Sequence, residues 1–336
     1  MKNAYIYPRS QYAQKDVHNP YLTNLMNSLE KYYHFINREK PSDIGIFDLF
    51  RYYRKIDCVF FNWIEDLPDK RGGWIQGFFF IILIYILKRR KIKIIWTLHN
   101  KLSHYKSNFR FKQFLFKFLL VHSDCILTHA REGVQYAYQY KLKDYNKIKY
   151  FPHPIEKKII RFNDDPLYDI LIWGSIIPYK NIDKFLQYLY DNNLQNNYKI
   201  QIVGKIKPDS YKDQILKLCN NNIQIDNRFI PEEELKTYID DSKIVLFTYA
   251  GDSVLSSGVL MDTLSYGAKV LAPHVGAFKD AEEDGLIRTF QTYDDLIPLI
   301  DISLKSPLHT NNEVISKFIE KSNWQQFSMN IVEWLN

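Results

Sequence analysis

Two successive halves that each alternate short apolar, β-branched runs with amphipathic segments predict an α/β chain built from two doubly wound parallel-sheet domains. Length supports two cores rather than one, since 336 residues exceed what a single hydrophobic core commonly organises. A polar, proline-containing stretch at 156–167 interrupts the pattern near its middle, and a strand-first order restarts after it. The expected organisation is therefore a first domain over 1–155, a linker over 156–167, a second domain over 168–312 and a helical tail over 313–336.

In chain order, 4–7 reads as a strand, 8–19 as a polar loop and 20–33 as a helix with proline at its start. Strands follow at 33–37 and 57–63, then an apolar helix at 74–90 and a strand at 92–98. A helix is expected at about 104–121, where Phe111, Phe114, Leu115 and Phe118 share one face. A strand at 125–128, a helix at 131–139 and a strand at 148–151 complete the first half, which ends in Pro152-His153-Pro154. The second half reads as strands at 169–173, 199–203, 223–226, 244–248 and 269–272, with helices at 181–192, 211–220, 231–240 and about 257–266.

Composition is that of a soluble globular protein, 46% hydrophobic and 25% charged. The three cysteines are far apart, which suits a reducing cytoplasm and argues against a disulfide framework or a zinc site. The N-terminus is strand-like and shows no secretory signal. The net charge of +7 is unevenly spread: 70–123 holds twelve Lys or Arg and no Asp or Glu. Such a block points to an anionic partner, either a phospholipid surface, a lipid pyrophosphate or nucleic acid. Nucleic acid is the weakest of these, because apolar runs interrupt the block and no reader motif is present. The expected membrane-facing set is Lys88, Arg89, Arg90, Lys106, Arg110, Lys112 and Lys117. The apolar run 74–87 is 14 residues long, short of the roughly 20 needed to span a bilayer, and reads as a buried or interfacial helix.

The most informative stretch is 244–273: apolar strand, small polar loop, helix, glycine, apolar strand. Ser256, Ser257 and Gly258 precede the helix that carries Asp262. Free backbone N–H groups and the positive dipole end at a helix N-terminus attract phosphate. A carboxylate one turn further in accepts hydrogen bonds from ribose hydroxyls. Together they would hold a nucleoside diphosphate, although a strand–helix–strand unit with a Ser N-cap has the same outline. No GxGxxG, phosphate-binding P-loop, Ser-His-Asp order or D-x-D metal motif appears, so no cofactor and no metal are expected.

Residues 262–270 are similar to the second half of the nucleotide-sugar motif of family-four GT-B glycosyltransferases, E-G-F-G-x-P-x-x-E-A-M-A-x-G-x-P-V. The resemblance covers nearly the whole chain and implies a GT-B fold, two Rossmann-like domains with a cleft between them, and a tail that crosses back to the first. The family's ribose-binding Glu falls on Asp262. Its first Glu falls on Val254, so Asp252 is the nearest substitute. Gly174, Ser175 and Lys180 resemble the family's G-R-x-x-x-x-K segment, with Ser175 in place of the Arg. Gly204 and Lys205 imply a second cation beside the diphosphate, and the turn at Phe229 and Ile230 implies a frame for the nucleobase. At the ends of first-domain strands, His99 is expected near the donor sugar, as hydrogen-bond partner or proton carrier. Asn62, Trp63, His104 and His153 are expected on the acceptor side, with Glu65 as a base should the reaction invert.

The activity implied is metal-independent transfer of a sugar from a nucleoside-diphosphate donor, a UDP-sugar before GDP-mannose. The acceptor implied is a lipid-linked or oligosaccharide glycan of bacterial capsular, exopolysaccharide or O-antigen synthesis. Retention of configuration is the family pattern. An inverting enzyme, with Glu65 or Asp16 as base, and an inactive nucleotide-sugar- or membrane-binding partner subunit stay open. The expected location is the cytoplasm, peripheral on the inner face of an anionic plasma membrane.

Overall fold

The structure is a computed structural model and describes residues 1–9, 20–101, 108–140, 144–158, 163–250, 254–306 and 312–336. The chain divides into two compact units, Met1–Pro154 together with Trp324–Asn336, and Ile155–Asn323.

The first unit is a six-stranded, all-parallel sheet in the order β2-β1-β3-β4-β5-β6. Its strands are β1 Lys2–Tyr7, β2 Tyr33–Phe35, β3 Cys58–Asn62, β4 Lys93–Leu98, β5 Cys125–Thr128 and β6 Ile148–Tyr150. The central strands are buried along their length, and Val59, Phe60, Phe61, Ile94, Ile95 and Trp96 are continuous apolar runs, as covering on both faces demands. Helices α1 Tyr21–Leu29, α2 Gly73–Arg89, α3 Phe109–His122 and α4 Arg131–Gln139 connect the strands. The helix expected from about 104 is described only from Phe109, because 102–107 lie outside the described residues.

The second unit is also a six-stranded parallel sheet, β7 Tyr168–Trp173, β8 Ile200–Val203, β9 Ile223–Asp226, β10 Ser242–Leu246, β11 Val270–Pro273 and β12 Arg288–Phe290. Its order is β12-β11-β10-β7-β8-β9. The sequence direction reverses at β7, so the β7–β10 seam is the topological switch point, where open α/β sheets bind ligands at strand C-termini. Helices α5 Ile182–Asp191, α6 Asp209–Leu216, α7 Glu232–Asp240, α8 Gly258–Ser265, α9 Gly276–Glu283 and α10 Tyr293–Lys305 cover it. The segment holding α9, β12 and α10 has no counterpart in the sequence reading. Its apolar positions alternate with Asp and Glu so closely that no long periodic run stands out.

The tail is two helices, α11 Asn312–Ser322 and α12 Trp324–Leu335, rather than one helical region. The break assigns them to different units: α11 places Ile315 and Ile319 in the core of the second, while α12 places Phe327, Ile331 and Leu335 against Leu25, Phe60 and Leu127 of the first.

Candidate functional site

The C-terminal end of β7 runs into Gly174, whose φ of +94° is left-handed, and the chain returns through a short 3-10 turn, Pro178–Lys180. Two bonds pin that turn to the end of β10: Ala250 N–H donates to the Tyr179 carbonyl at 2.9 Å, and the Thr248 hydroxyl donates to the Lys180 carbonyl at 2.5 Å. The Lys180 side chain is thereby folded inward and is only 4% exposed. Its Nζ donates to the Trp173 carbonyl at 3.4 Å and lies 5.1 Å from the centroid of the buried Tyr249 ring. No acidic side chain among the described residues pairs with it. Burial without a counter-ion pulls its amine down to about 7.

Glycine at two positions makes this arrangement feasible. A Cβ on Gly174 would lie 2.9 Å from Lys180 Nζ. One on Gly204, whose φ is +142°, would lie 2.0 Å from the Gly174 carbonyl oxygen, a backbone atom that cannot move aside. The ends of β7 and β8 therefore approach as closely as backbones permit.

Helix α8 reaches the same place. Val259 is the next-nearest side chain to Gly174, and Trp173 Nε1 donates to Thr263 Oγ1 at 2.8 Å. Ser257 is its N-cap, with a hydroxyl that accepts from Leu260 N–H at 3.3 Å. That hydroxyl is occupied by its own helix. Asp262, one turn on, has 43% of its side chain open and stands 3.7 Å from Lys158 Nζ. Burial of the carboxyl and the neighbouring Glu232 push it up to about 6, against the opposing pull of Lys158.

Lys158 is absent from the sequence reading because it sits in the polar stretch taken as linker, where a lysine carries no signal. It binds Glu232 at 2.8 Å, lies over the Tyr266 ring at 4.6 Å and links Asp262 to the start of α7. Phe229 is exposed and Ile230 packs partly on the core just before that helix. Arg228 holds the turn through Asp226 and Glu234. Val254 is buried in the core, as its apolar side chain requires. Ser175 and Lys205 are exposed. The second unit thus brings together Gly174, Gly204, Lys180, the N-terminus of α8 and Asp262. Asp252, His104 and Lys106 lie outside the described residues, as does Asp16.

In the first unit the reversal of strand order falls between β1 and β3. There Asn62 Nδ2 donates to the Tyr7 carbonyl at 3.2 Å, and Asn62 Oδ1 meets His99 Nε2 at 3.0 Å. With the amide oriented by Tyr7, the imidazole Nε2–H donates. His99 also stacks on Trp63 at 4.3 Å and 15°, and meets the Tyr21 ring edge at 4.9 Å. His129 and His153 complete the cluster, with ring centroids 4.9 Å apart. Burial pulls His99 down to about 3, with His153 adding to the effect, and pulls His153 down to about 4. His129 is pulled down as well. All three rings are neutral near pH 7. Of the two roles expected for His99, hydrogen bonding fits this state and proton carriage does not.

Three sequence expectations need correction. Asn62 is fully buried and both ends of its amide are taken, so it orients His99 rather than meeting an acceptor. Glu65 is buried with both carboxylate oxygens lacking a hydrogen bond of normal geometry. Burial, with Asp66 adding, pushes it up to about 8, so at neutral pH it holds its proton and is not a ready base. Lys112 is 1% exposed and ion-paired with Asp69, so it faces the protein and not a membrane. Trp63 and His153 remain partly exposed. His129 was missed, although its place immediately after β5 is the strand-end signal that singled out His99. Among the described residues, no group of three His, Cys, Asp or Glu side chains converges as a metal site would require.

His99→Ala is expected to lower turnover of any reaction centred here more than nucleotide affinity, because the residues expected to hold a diphosphate all belong to the other unit. Paired kcat and UDP-binding measurements check this. A large fall in melting temperature as the main effect would make His99 a packing residue.

No family model and no curated protein sequence matches the chain. Solved structures do. Anabaena HepE in complex with UDP and glucose has a TM-score of 0.71 at 11% identity, covering 100% of this chain and 99% of that one. The apo lipopolysaccharide outer core galactosyltransferase WaaB has a TM-score of 0.63 at 13% identity, covering 100% and 99%. A glycosyltransferase from Rickettsia africae has a TM-score of 0.62 at 13% identity, covering 98% and 96%. At these identities the likeness establishes the fold. With two six-stranded parallel Rossmann-like sheets matched along their full length, this chain has the GT-B fold.

Proposed function

We propose that the chain is a glycosyltransferase that moves a sugar from a nucleoside-diphosphate donor onto a glycan acceptor. The observation that carries this reading is a buried lysine with no counter-ion among the described residues, at a switch point where two glycines let the ends of β7 and β8 and the N-terminus of α8 converge on it. The diphosphate of the donor would supply the missing charge. Asp262 would accept from the ribose hydroxyls, and the turn at Phe229 and Ile230 would border the base. UDP is the favoured nucleotide: structures of HepE contain UDP and UDP-glucose. GDP-mannose is the second choice.

Lys180 and the α8 dipole stabilise the departing diphosphate, so the leaving group needs no metal ion in this scheme. In the first unit, neutral His99, fixed by Asn62 and Trp63 with its Nε2–H given to Asn62, acts toward a sugar hydroxyl as a hydrogen-bond acceptor. The acceptor is taken to be lipid-linked or an oligosaccharide, at an anionic inner-membrane surface, as in capsule, exopolysaccharide or O-antigen assembly. Transfer with retention is preferred, as the resemblance implies, with Glu65, raised to about 8 by burial, as the described candidate base should the reaction invert.

A thermal-shift screen against UDP, GDP and their sugars tests the reading. A nucleotide at 100 times its dissociation constant stabilises by about 2.7 kcal/mol. Transfer is expected to persist in EDTA. No shift with any nucleotide would overturn the donor site, and activity lost to EDTA and restored by magnesium would overturn the metal-free leaving-group scheme.

A further inference from the structure

Helix α2 is apolar around its whole circumference, yet only one side is used by the fold. Phe80, Leu83, Ile84 and Leu87 are buried in the first unit. The opposite side carries Trp74, Ile75, Phe78, Phe79, Ile82 and Tyr85, each between 38% and 61% exposed. Their spacing places them on one continuous stripe of the helix. Neighbouring α3 widens it: Trp74 stacks on Phe111 at 4.5 Å and 12°, Tyr85 meets Phe118 at 5.8 Å, and Phe114 is exposed beyond them. Gly77 permits that contact, because a Cβ there would lie 2.4 Å from the Phe111 ring. Single exposed apolar residues need no explanation, but a contiguous two-helix face does.

The surrounding charge says what covers it. Exposed cations stand at both ends of α2, Arg71 before it, Arg89 in its last turn and Arg90 after it, and Arg110 and Lys117 lie on α3; Lys88, also in the last turn, is paired with Asp124 at 2.7 Å. No Asp or Glu occurs in 70–123. A second copy of the chain would bring this positive collar against itself, whereas an anionic headgroup layer complements it. Trp74 and Tyr85 lie near the two ends of the stripe, and such amphipathic rings favour the membrane–water boundary. Among the described residues no helix is long and apolar enough to cross a membrane. The 17 residues of α2 span only about 25 Å.

We infer that α2 lies in the plane of an anionic bilayer with its outward stripe inserted at the headgroup–acyl boundary. Apolar insertion, rather than the basic block, then holds the protein there, and cations at the rim select the lipid. This deepens the membrane association in the function proposed above, and changes what salt does to it. The basic block by itself implies release at high salt, whereas an inserted stripe is retained.

The full chain is sedimented with phosphatidylglycerol-containing vesicles at low salt and at about 1 M NaCl, where the Debye length falls to about 3 Å. The parent is expected to stay bound at both. The variant Ile75→Asp/Phe78→Asp alters exposed side chains only, so its melting temperature and its thermal shift with UDP should match the parent, while vesicle partitioning falls by roughly tenfold or more. Brominated lipids should quench the parent's tryptophan fluorescence, and Trp74→Phe should remove most of that quenching. Complete release of the parent at high salt overturns the proposal, as does equal binding by the double variant. A parent that ignores vesicles but forms a dimer that the double variant dissociates also overturns it, in favour of a second copy. Loss of the UDP shift with vesicle binding intact would sink the donor site alone.

Discussion

Lys180→Met is expected to weaken UDP-sugar binding by roughly 10- to 100-fold, the factor that corresponds to about 1.5–3 kcal/mol for a hydrogen bond to a charged group. Binding of uridine, which lacks the diphosphate, should barely change. Met keeps the apolar stem of Lys180 and removes an amine that burial holds at about 7. Folding already disfavours the charged form of that amine, so the variant's melting temperature should stay level or rise. The parent should also show a pH dependence with a definite sign. Diphosphate binding favours the ammonium, raises its pKa and takes up a proton when the free amine is neutral. Donor affinity should therefore fall as pH rises above about 7, by up to tenfold per unit, and the variant should lack that fall. Calorimetry with a UDP-sugar at several pH values checks both. Equal losses for uridine and donor would indicate local unfolding, and a parent with no pH dependence would mean the amine does not face phosphate.

Asp262→Ala should reduce transfer by roughly 10- to 100-fold while the protein stays folded. Its carboxylate would accept from ribose hydroxyls, an interaction in the same range of about 1.5–3 kcal/mol. The group is raised from its ordinary value to about 6 by burial and Glu232. It is thus mainly ionised at neutral pH and is protonated as pH falls below about 6, where acceptor capacity and donor affinity decline together. Combined with the opposite slope set by Lys180, donor affinity should be greatest between about pH 6 and 7. Lys158→Ala should cost less than Asp262→Ala, and the double variant should cost less than the sum, because Lys158 acts through Asp262 and Glu232. Unchanged nucleotide affinity in Asp262→Ala would place the ribose elsewhere, and strict additivity would remove Lys158 from the site.

Much of the candidate site in the second unit was legible as sequence because its parts are local. The spacing from Gly174 to Lys180, and from Ser257 to Asp262, lies within one strand–turn–helix step. Local backbone rules fix where such residues point: glycine where φ is positive, Ser at a helix N-cap. Lys158 was not legible, because its partners, Glu232, Tyr266 and Asp262, are distant in sequence and a lysine in a polar segment has the same appearance whether solvated or bridging. The burial that sets the properties of Lys180, Glu65 and His99 was invisible for the same reason. Desolvation depends on what packs around a group from other elements, and that is a property of the assembled core.

The basic block shows the same division. By itself the sequence determined the α/β class, the two parallel-sheet units and the cationic excess over 70–123, since periodicity, length and charge are sums over neighbouring residues. Only the tertiary structure decided that Lys112 turns inward to Asp69, that α11 and α12 join different units, and that the apolar helix α2 buries one side and leaves the other to solvent. A helix apolar on every side carries no periodicity to say which face the core takes. That choice is made by the sheet and by α3, where Gly77 admits Phe111, and so it exists only once the chain is folded.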